Sequence, residues 1–284
     1  MRLRVGNRSW PLLVPVAAFL TLFFLIPYAN MVRVSFLLKA PTGAYTNVFT
    51  IDNYARVLGD SFQWRILQNT IWYSLITTVI ALVLGFPLAY AIAHASRRVR
   101  PLLLMLLISP LLVGVVVRSY GWMIILGTVG LVNQLLKGIG LPSAQLMDNP
   151  MAVIIGLVHV LLPFMSLSIA GALQNIPPEV ERAARSLGAS PSSVFWRVTW
   201  PLSLPGVFSG TLLVFVLAVS SYVLPILLGG NHVLVMPILI VLTLLDAFNW
   251  PLGSAQAMVF FGLTAVLLWI YVKLMNRAMR WSHR

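Results

Sequence analysis

Cysteine is missing from the 284 residues, and only six carry a carboxylate: Asp52, Asp60, Asp148, Glu179, Glu181 and Asp246. The first absence removes disulfides, thiol nucleophiles and cysteine metal sites. The second leaves no pair of acids inside an apolar segment at a spacing that builds an acid/base or metal site. The histidines, His94, His159, His232 and His283, are scattered, with no ligand-type neighbour four residues away. No GxxxxGK[ST] phosphate loop occurs, so no ATP hydrolysis, catalytic residue, cofactor or metal site is expected of this chain. Charge of any sign is scarce, at 9% of residues against about a quarter in a soluble domain.

Apolar residues fill that space. They make up 60% of the chain, and mean hydropathy is +0.93, which fits an all-α polytopic membrane protein. Net charge is +13, yet the arginines flank apolar segments instead of forming an aromatic-interleaved basic face. Lipid headgroups and topology account for them better than nucleic acid does.

A bilayer core takes about 20 apolar residues per helix. Six segments qualify: Trp10 to Val34, Ile71 to Ala93, Leu102 to Leu126, Ala152 to Leu173, Leu204 to Leu228 and Ala255 to Leu274. The first is longer than a signal-peptide core and lacks a small-x-small cleavage site, so a retained helix is expected. Orientation follows from the basic residues. Arg2, Arg4, Arg8, Arg97, Arg98, Arg100, Arg182, Arg185, Arg197, Lys273, Arg277, Arg280 and Arg284 fall on one side, which the positive-inside rule makes cytoplasmic together with both termini. On the outer side, Lys39 to Gln68 is aromatic enough to form a small cap or lie among headgroups. Val233 to Phe248 is too short for a span and reads as a re-entrant or interfacial helix broken by Pro237. Residues 1–284 are expected to form a single membrane domain.

Between the fourth and fifth spans runs a polar segment, QNIPPEVERAARSLGASPSSVFWRVTWPLSLP, from Gln174 to Pro205. Pro177 and Pro178 suit a helix start, and Glu179 and Glu181 place negative charge at the positive end of its dipole. Val180, Ala184 and Leu187 then share one apolar stripe, with Arg182 and Arg185 off it. Gly188 suits a left-handed helix end, Ser190 and Pro191 suit a second start, and Pro201 is expected to close that second helix. Pattern alone also allows an interfacial hairpin lying on lipid or on its own helices.

With Ala183-Ala184, Gly188, Phe195, Pro201 and Pro205 at these spacings, the loop resembles the EAA loop of permease subunits in binding-protein-dependent ABC importers. The motif's glutamate position holds Arg182, with Glu181 beside it. Arg33-Val34-Ser35-Phe36, Asn69-Thr70, Arg118-Ser119-Tyr120-Gly121-Trp122, the Pro225 to Gly230 segment and the Asn249 to Gly253 segment are similar to the spermidine/putrescine permease branch, closest to its B-type subunit. That resemblance implies the type I importer permease architecture. It also implies that residues 178–200, within a cytoplasmic loop at 174–203, form a coupling helix that docks on an ATPase, with Glu181, Arg182, Ala183, Ala184, Leu187, Gly188, Phe195, Pro201 and Pro205 as the coupling residues. The implied partners are two ATPase subunits, a second permease subunit and a periplasmic or extracellular solute-binding protein, besides membrane lipid. The implied location is the inner membrane, and polyamine is the leading cargo ahead of amino acids, opines, phosphonates or iron complexes.

A cationic cargo needs carbonyls, hydroxyls, aromatic faces and a carboxylate along its path. Tyr120, Trp122, Ser221, Tyr222, Asp246, Asn249 and Trp250 are the candidates, each of which has an alternative reading as aromatic belt or helix glue. His159 and Arg118 are ionisable groups inside spans. A neutral histidine bonded to a neighbouring helix, and an arginine that snorkels or pairs with Asp246 or Asp148, are the expected states. A gradient-driven transporter would call for relayed intramembrane carboxylates and an inverted repeat, and the sequence has neither.

Overall fold

The structure, a computed structural model, describes residues 10–282. Arg2, Arg4, Arg8, His283 and Arg284 lie outside the described residues. The described residues are mostly helical, and the only β pairing among them is a single bridge between Leu37 and Phe49. Among the described residues, six stretches are long and apolar enough to cross a membrane: Val14–Ser35, Ser61–His94, Val115–Gly138, Pro150–Gln174, Pro191–Val219 and Trp250–Arg277. The chain divides into two compact units, one made of the chain up to Trp64 with Leu239–Thr264, the other of Arg65–Ile238 with the chain from Ala265.

In the first unit, α1 (Trp10–Leu20) and α2 (Ile26–Ser35) are joined by a π-turn at Thr21–Leu25. The segment after α2 then folds into a small cap around α3 (Asp52–Gly59). Phe36 stacks on Phe49 at 5.3 Å and lies 4.8 Å from Tyr54. Buried Asn53 donates to the carbonyls of Ser35 and Leu37, which satisfies the chain as it leaves the helix.

The second unit carries most of the membrane helices and the polar loop. It contains most of α4 (Ser61–His94), then α5 (Arg100–Ile108), α6 (Val115–Leu126), α7 (Leu131–Gly138), α8 (Pro150–Gln174), α9 (Pro178–Ser186), α10 (Pro191–Val194), α11 (Trp200–Val219), α12 (Val223–Leu228) and the start of α13 (Met236–Val241). Its core lies along the α8–α11 crossing, where Met165, Ile169 and Val214 are fully buried. Glycine makes the close approach possible. A β-carbon on Gly206 would lie 2.4 Å from Ala172 Cβ and 2.8 Å from the Ser168 carbonyl oxygen. Gly156 and Gly210 also sit against neighbouring helices, whereas Gly114, Gly121 and Gly171 have nothing within 4 Å.

Three boundaries differ from the sequence reading. The expected span Leu102 to Leu126 is divided: α5 tightens into a 3₁₀ turn at Ser109–Leu112, the backbone is extended at Val113 and Gly114, and α6 starts afresh. Pro110 has no amide hydrogen to continue the α-helical ladder, and Gly114 permits the turn-out. The expected Leu204 to Leu228 span instead runs as a continuous helix from Pro191 to Val219, then breaks at Ser220–Tyr222 before α12. Pro201 therefore does not close a helix. A π-turn at Phe195–Thr199 precedes it, with the Trp200 amide bonded to the Phe195 carbonyl, and the widened turn accommodates the proline's missing donor. Pro237 sits in the first turn of a short helix continuing from α13 through a π-turn to Asp246, and does not break it. The last helix, α14, spans Trp250–Ser282.

Candidate functional site

The polar loop folds as two helical pieces with a defined corner. α9 ends in a Schellman arrangement: the Gly188 amide donates to the Arg185 carbonyl and the Ala189 amide to the Ala184 carbonyl. Gly188 has φ +85°, the left-handed conformation its position requires. Ser190 then caps the next helix by accepting from the Ser193 amide at 3.3 Å. The corner leaves Leu187 89% exposed, and Val180 on the same stripe is also exposed.

The charges of α9 separate by face. Arg182 is outward, its side chain 71% exposed, and pairs at 3.0 Å with the equally exposed Glu179. Glu181 turns the other way. Its side chain is 13% exposed, and it accepts from the hydroxyl of buried Thr199 at 2.8 Å, with His94 Nε2 at 3.6 Å and Arg185 at 4.0 Å. The carboxylate thus ties α9 both to the end of α4 and to the π-turn below α11. A polar cavity of about 250 Å³ adjoins it, lined by His94, Arg100, Gln174 and Glu181 among others. Thr199 and His94 were not evident as site residues in the sequence, because they lie 18 positions after and 87 before Glu181 and no local spacing links them.

Phe195 anchors the second piece. Its ring meets Phe86 edge-on at 5.6 Å, Trp196 at 5.0 Å, Tyr90 at 6.3 Å and Trp200 at 6.4 Å. Ala183 and Ala184 lie on α9, whose small side chains leave its surface low. Pro201 and Pro205 lie in the first turns of α11. The coupling candidates thus run in sequence from α9 through the π-turn to the start of α11, some facing outward and some inward.

The pathway candidates fall on separate elements. In the second unit, Tyr120 and Trp122 are on α6, and Ser221 and Tyr222 form the break before α12, which packs along α6. Trp122 Nε1 donates to His159 Nδ1 at 3.2 Å, so the histidine bonds a neighbouring helix as expected and keeps Nδ1 free of hydrogen. Ser221 lines a crevice with Thr70, Tyr73 and Ser74. In the first unit, Asp246 is exposed at the end of the short helix, Asn249 accepts from the Leu252 amide at 3.3 Å and so caps α14, and Trp250 meets Phe248 edge-on at 6.2 Å. Lys39 donates to the carbonyl of Ala247, the residue after Asp246.

Residues 81–281 match the family described as binding-protein-dependent transport system inner membrane component. The chain belongs to this family. It is 35% identical to the spermidine/putrescine transport system permease protein PotB of Escherichia coli (strain K12), covering 94% of this chain and 98% of that one. The PotB of Haemophilus influenzae (strain ATCC 51907 / DSM 11121 / KW20 / Rd) is 36% identical, with 96% and 97% covered. Among solved structures, a bacterial alginate ABC transporter in complex with an alginate pentasaccharide-bound periplasmic protein superposes over 96% of both chains with a TM-score of 0.78 at 17% identity, which is a likeness of fold. This permease is accordingly a multi-pass inner-membrane subunit of an ABC importer. It is not an enzyme, and ATP hydrolysis belongs to a partner.

Proposed function

We propose that this permease forms half of the translocation pathway of a polyamine importer and takes its energy from an ATPase docked on the 174–203 loop. The cargo reading rests on similarity to PotB along nearly the full length of the chain. The docking reading rests on the bare Leu187 and Val180 stripe of α9, held by a Schellman end and by the inward Glu181 clamp. A short amphipathic helix with a small apolar face suits helix-in-groove docking. The full assembly would hold two ATPase subunits, a second permease and a solute-binding protein on the outer side, with residues 1–284 acting as a single membrane domain and both termini in the cytoplasm.

On this reading, ATP binding closes the ATPase pair and carries the docked α9 helices together. Glu181, bonded to Thr199, passes that displacement to the base of the 191–219 helix. The aromatic packing of Phe195 on Phe86 and Tyr90 passes it to α4. The break at Ser220–Tyr222 is where the moving helix meets the outer half of the pathway, beside the Tyr120 and Trp122 face of α6. Asp246 and Trp250 would offer the cation a carboxylate and an aromatic face. Affinity would reside mainly in the binding protein.

Two measurements test this. The complex co-expressed with its ATPase, second permease and binding protein, purified and placed in liposomes, is expected to raise its ATP hydrolysis with putrescine or spermidine. Stimulation by amino acids, opines or phosphonates instead would discard the polyamine and retain the importer. Second, Glu181→Ala leaves the buried Thr199 hydroxyl unsatisfied, at a cost of about 1–3 kcal/mol. It is expected to lower cargo moved per ATP about tenfold with ATPase retention unchanged. An unaltered transport-to-hydrolysis ratio would remove the clamp from the coupling path.

A further inference from the structure

Three ion pairs occur among the described residues, and two of them converge on Glu181. Arg118 joins none, so the pairing with Asp148 or Asp246 expected from the sequence does not form. The two oxygens of Glu181 have different partners. Oε1 accepts from the Thr199 hydroxyl at 2.8 Å, whereas Oε2 faces His94 Nε2 at 3.6 Å and an Arg185 nitrogen at 4.0 Å. His94 is the last residue of α4. Its side chain is 42% exposed and lines the polar cavity of about 250 Å³, which gives solvent protons access to the ring.

The ring is set between two acceptors. Nδ1 lies 3.0 Å from the Tyr90 carbonyl oxygen, which can only accept, so Nδ1 carries the hydrogen. A neutral imidazole has one N–H, so Nε2 is then bare and turns its lone pair toward a carboxylate oxygen that also can only accept. The 3.6 Å between them is too long for a hydrogen bond, as two facing acceptors require. Only the imidazolium donates to both. Its Nε2–H would close on Oε2 to about 2.8 Å, and the Tyr90 ring, stacked at 4.0 Å, offers it an aromatic face. The positive groups set against it are Arg185 on α9, which shares the carboxylate, and Arg100 on α5, which lines the same cavity; Arg97 and Arg98 follow in the exposed turn. From α8 the cavity receives only the uncharged Leu173 and Gln174, and Glu181 is its one carboxylate.

We infer that His94 is a proton-dependent positioning residue of the coupling loop: its imidazolium draws the Glu181 carboxylate, and with it α9, onto the end of α4, and its neutral form lets the pair open. The inference rests on the reading of α9 as the helix that docks on the ATPase. The clamp therefore has two parts. The Thr199 bond is held at any pH at which Glu181 is ionised, and the His94 bond is engaged by acid. Histidine is the side chain that changes charge between about pH 5 and 8. The second part is thus present at the acid end of that range and lost as pH rises, so displacement of α9 reaches α4 more fully when the ATPase side is acidic.

The test uses the full complex of both permeases, the ATPase and the binding protein in liposomes, and measures putrescine moved per ATP with the ATPase side held at values from about pH 6 to about pH 8. Across that range the wild-type ratio is expected to fall about threefold relative to His94→Gln, which has no titrating ring; a half-exposed ion pair supports an effect of that size. His94→Arg keeps its charge, with donors for both acceptors, and is expected to hold the acid wild-type ratio throughout. A His94→Gln ratio that runs parallel to wild type at every pH, equal or lower by a constant factor, overturns the inference and leaves His94 a packing residue. So does a His94→Arg profile that follows wild type. Nitrogen NMR of the complex carrying labelled histidine gives a reading independent of cargo, with the His94 signal identified by its loss in His94→Gln. Hydrogen on both ring nitrogens at about pH 6 and on Nδ1 alone at about pH 8 is expected, and any other pattern overturns the inference. An unaltered transport ratio in Glu181→Ala would instead count against the coupling reading itself.

Discussion

Leu187→Asp is expected to strip the ATPase from the purified complex while leaving the chain inserted in the membrane. Leu187 is the most exposed point of the α9 stripe and makes no packing contribution to its own subunit that its loss would expose. An apolar anchor at the centre of a docking site is worth roughly 2 kcal/mol or more, a loss of about 30-fold in affinity. Placing a carboxylate in an apolar groove adds a desolvation cost. Gly188→Asp should act in the same direction by a different route, because φ +85° suits a side chain poorly and the corner beneath Leu187 would shift. The measurement is ATPase recovered per permease after affinity purification, with membrane-inserted permease as the control. Undiminished recovery for Leu187→Asp would mean that α9 does not seat in the ATPase, and would return the loop to an interfacial hairpin.

Gly206→Val is expected to be severely damaging at the α8–α11 crossing. Its β-carbon would fall 2.4 Å from Ala172 Cβ, 2.8 Å from the Ser168 oxygen and 3.1 Å from Ile169 Cα. Two of these three atoms are backbone of α8, so no rotamer change can make room and the helices must part. Overpacking of this kind costs about 3 kcal/mol, which corresponds to a melting midpoint lower by about 5–10 °C. Gly156 is the useful contrast. A β-carbon there meets the Leu228 and Leu224 side-chain tips, which can rotate, so Gly156→Ala should cost less. Gly262, with nothing within 4 Å, should accept alanine without loss. Thermal scans of the three variants in detergent decide the order, and an equal midpoint for Gly206→Val and the parent would mean that the α8–α11 crossing is not set by this contact.

Much of the loop was legible because its signals are local. Pro178, Glu179, Gly188 and Ser190 each act on backbone within four residues, and the structure uses each as its chemistry suggests. The helix breaks were less so. Pro110 and Pro201 look alike in sequence, yet one ends a helix and the other rides through it, because a π-turn absorbs the missing hydrogen bond at Pro201 while an extended glycine follows Pro110. Glu181 was harder still. The sequence places it with Glu179 as negative charge at the start of a helix, and only the fold brings Thr199 and His94 to it. Asn249 reads as a polar group for cargo, and the structure gives it a cap at the start of α14. Composition sets the class, and tertiary contacts decide which polar side chain serves backbone and which is left free.

The π-turn at Phe195–Thr199 holds one residue more than an α-helical turn would. Everything above it therefore lags by about 100° about the helix axis, and sits about 1.5 Å nearer the loop, relative to an uninterrupted α-helix carrying the same loop. The phase between the docking corner and the membrane section is stored in that single extra residue. Two permeases with identical loops and identical spans, differing only in whether this turn is wide, would present their loop corners a quarter-turn or more apart. Partner choice can thus be encoded by the angular setting of the loop, independently of the side chains on its face.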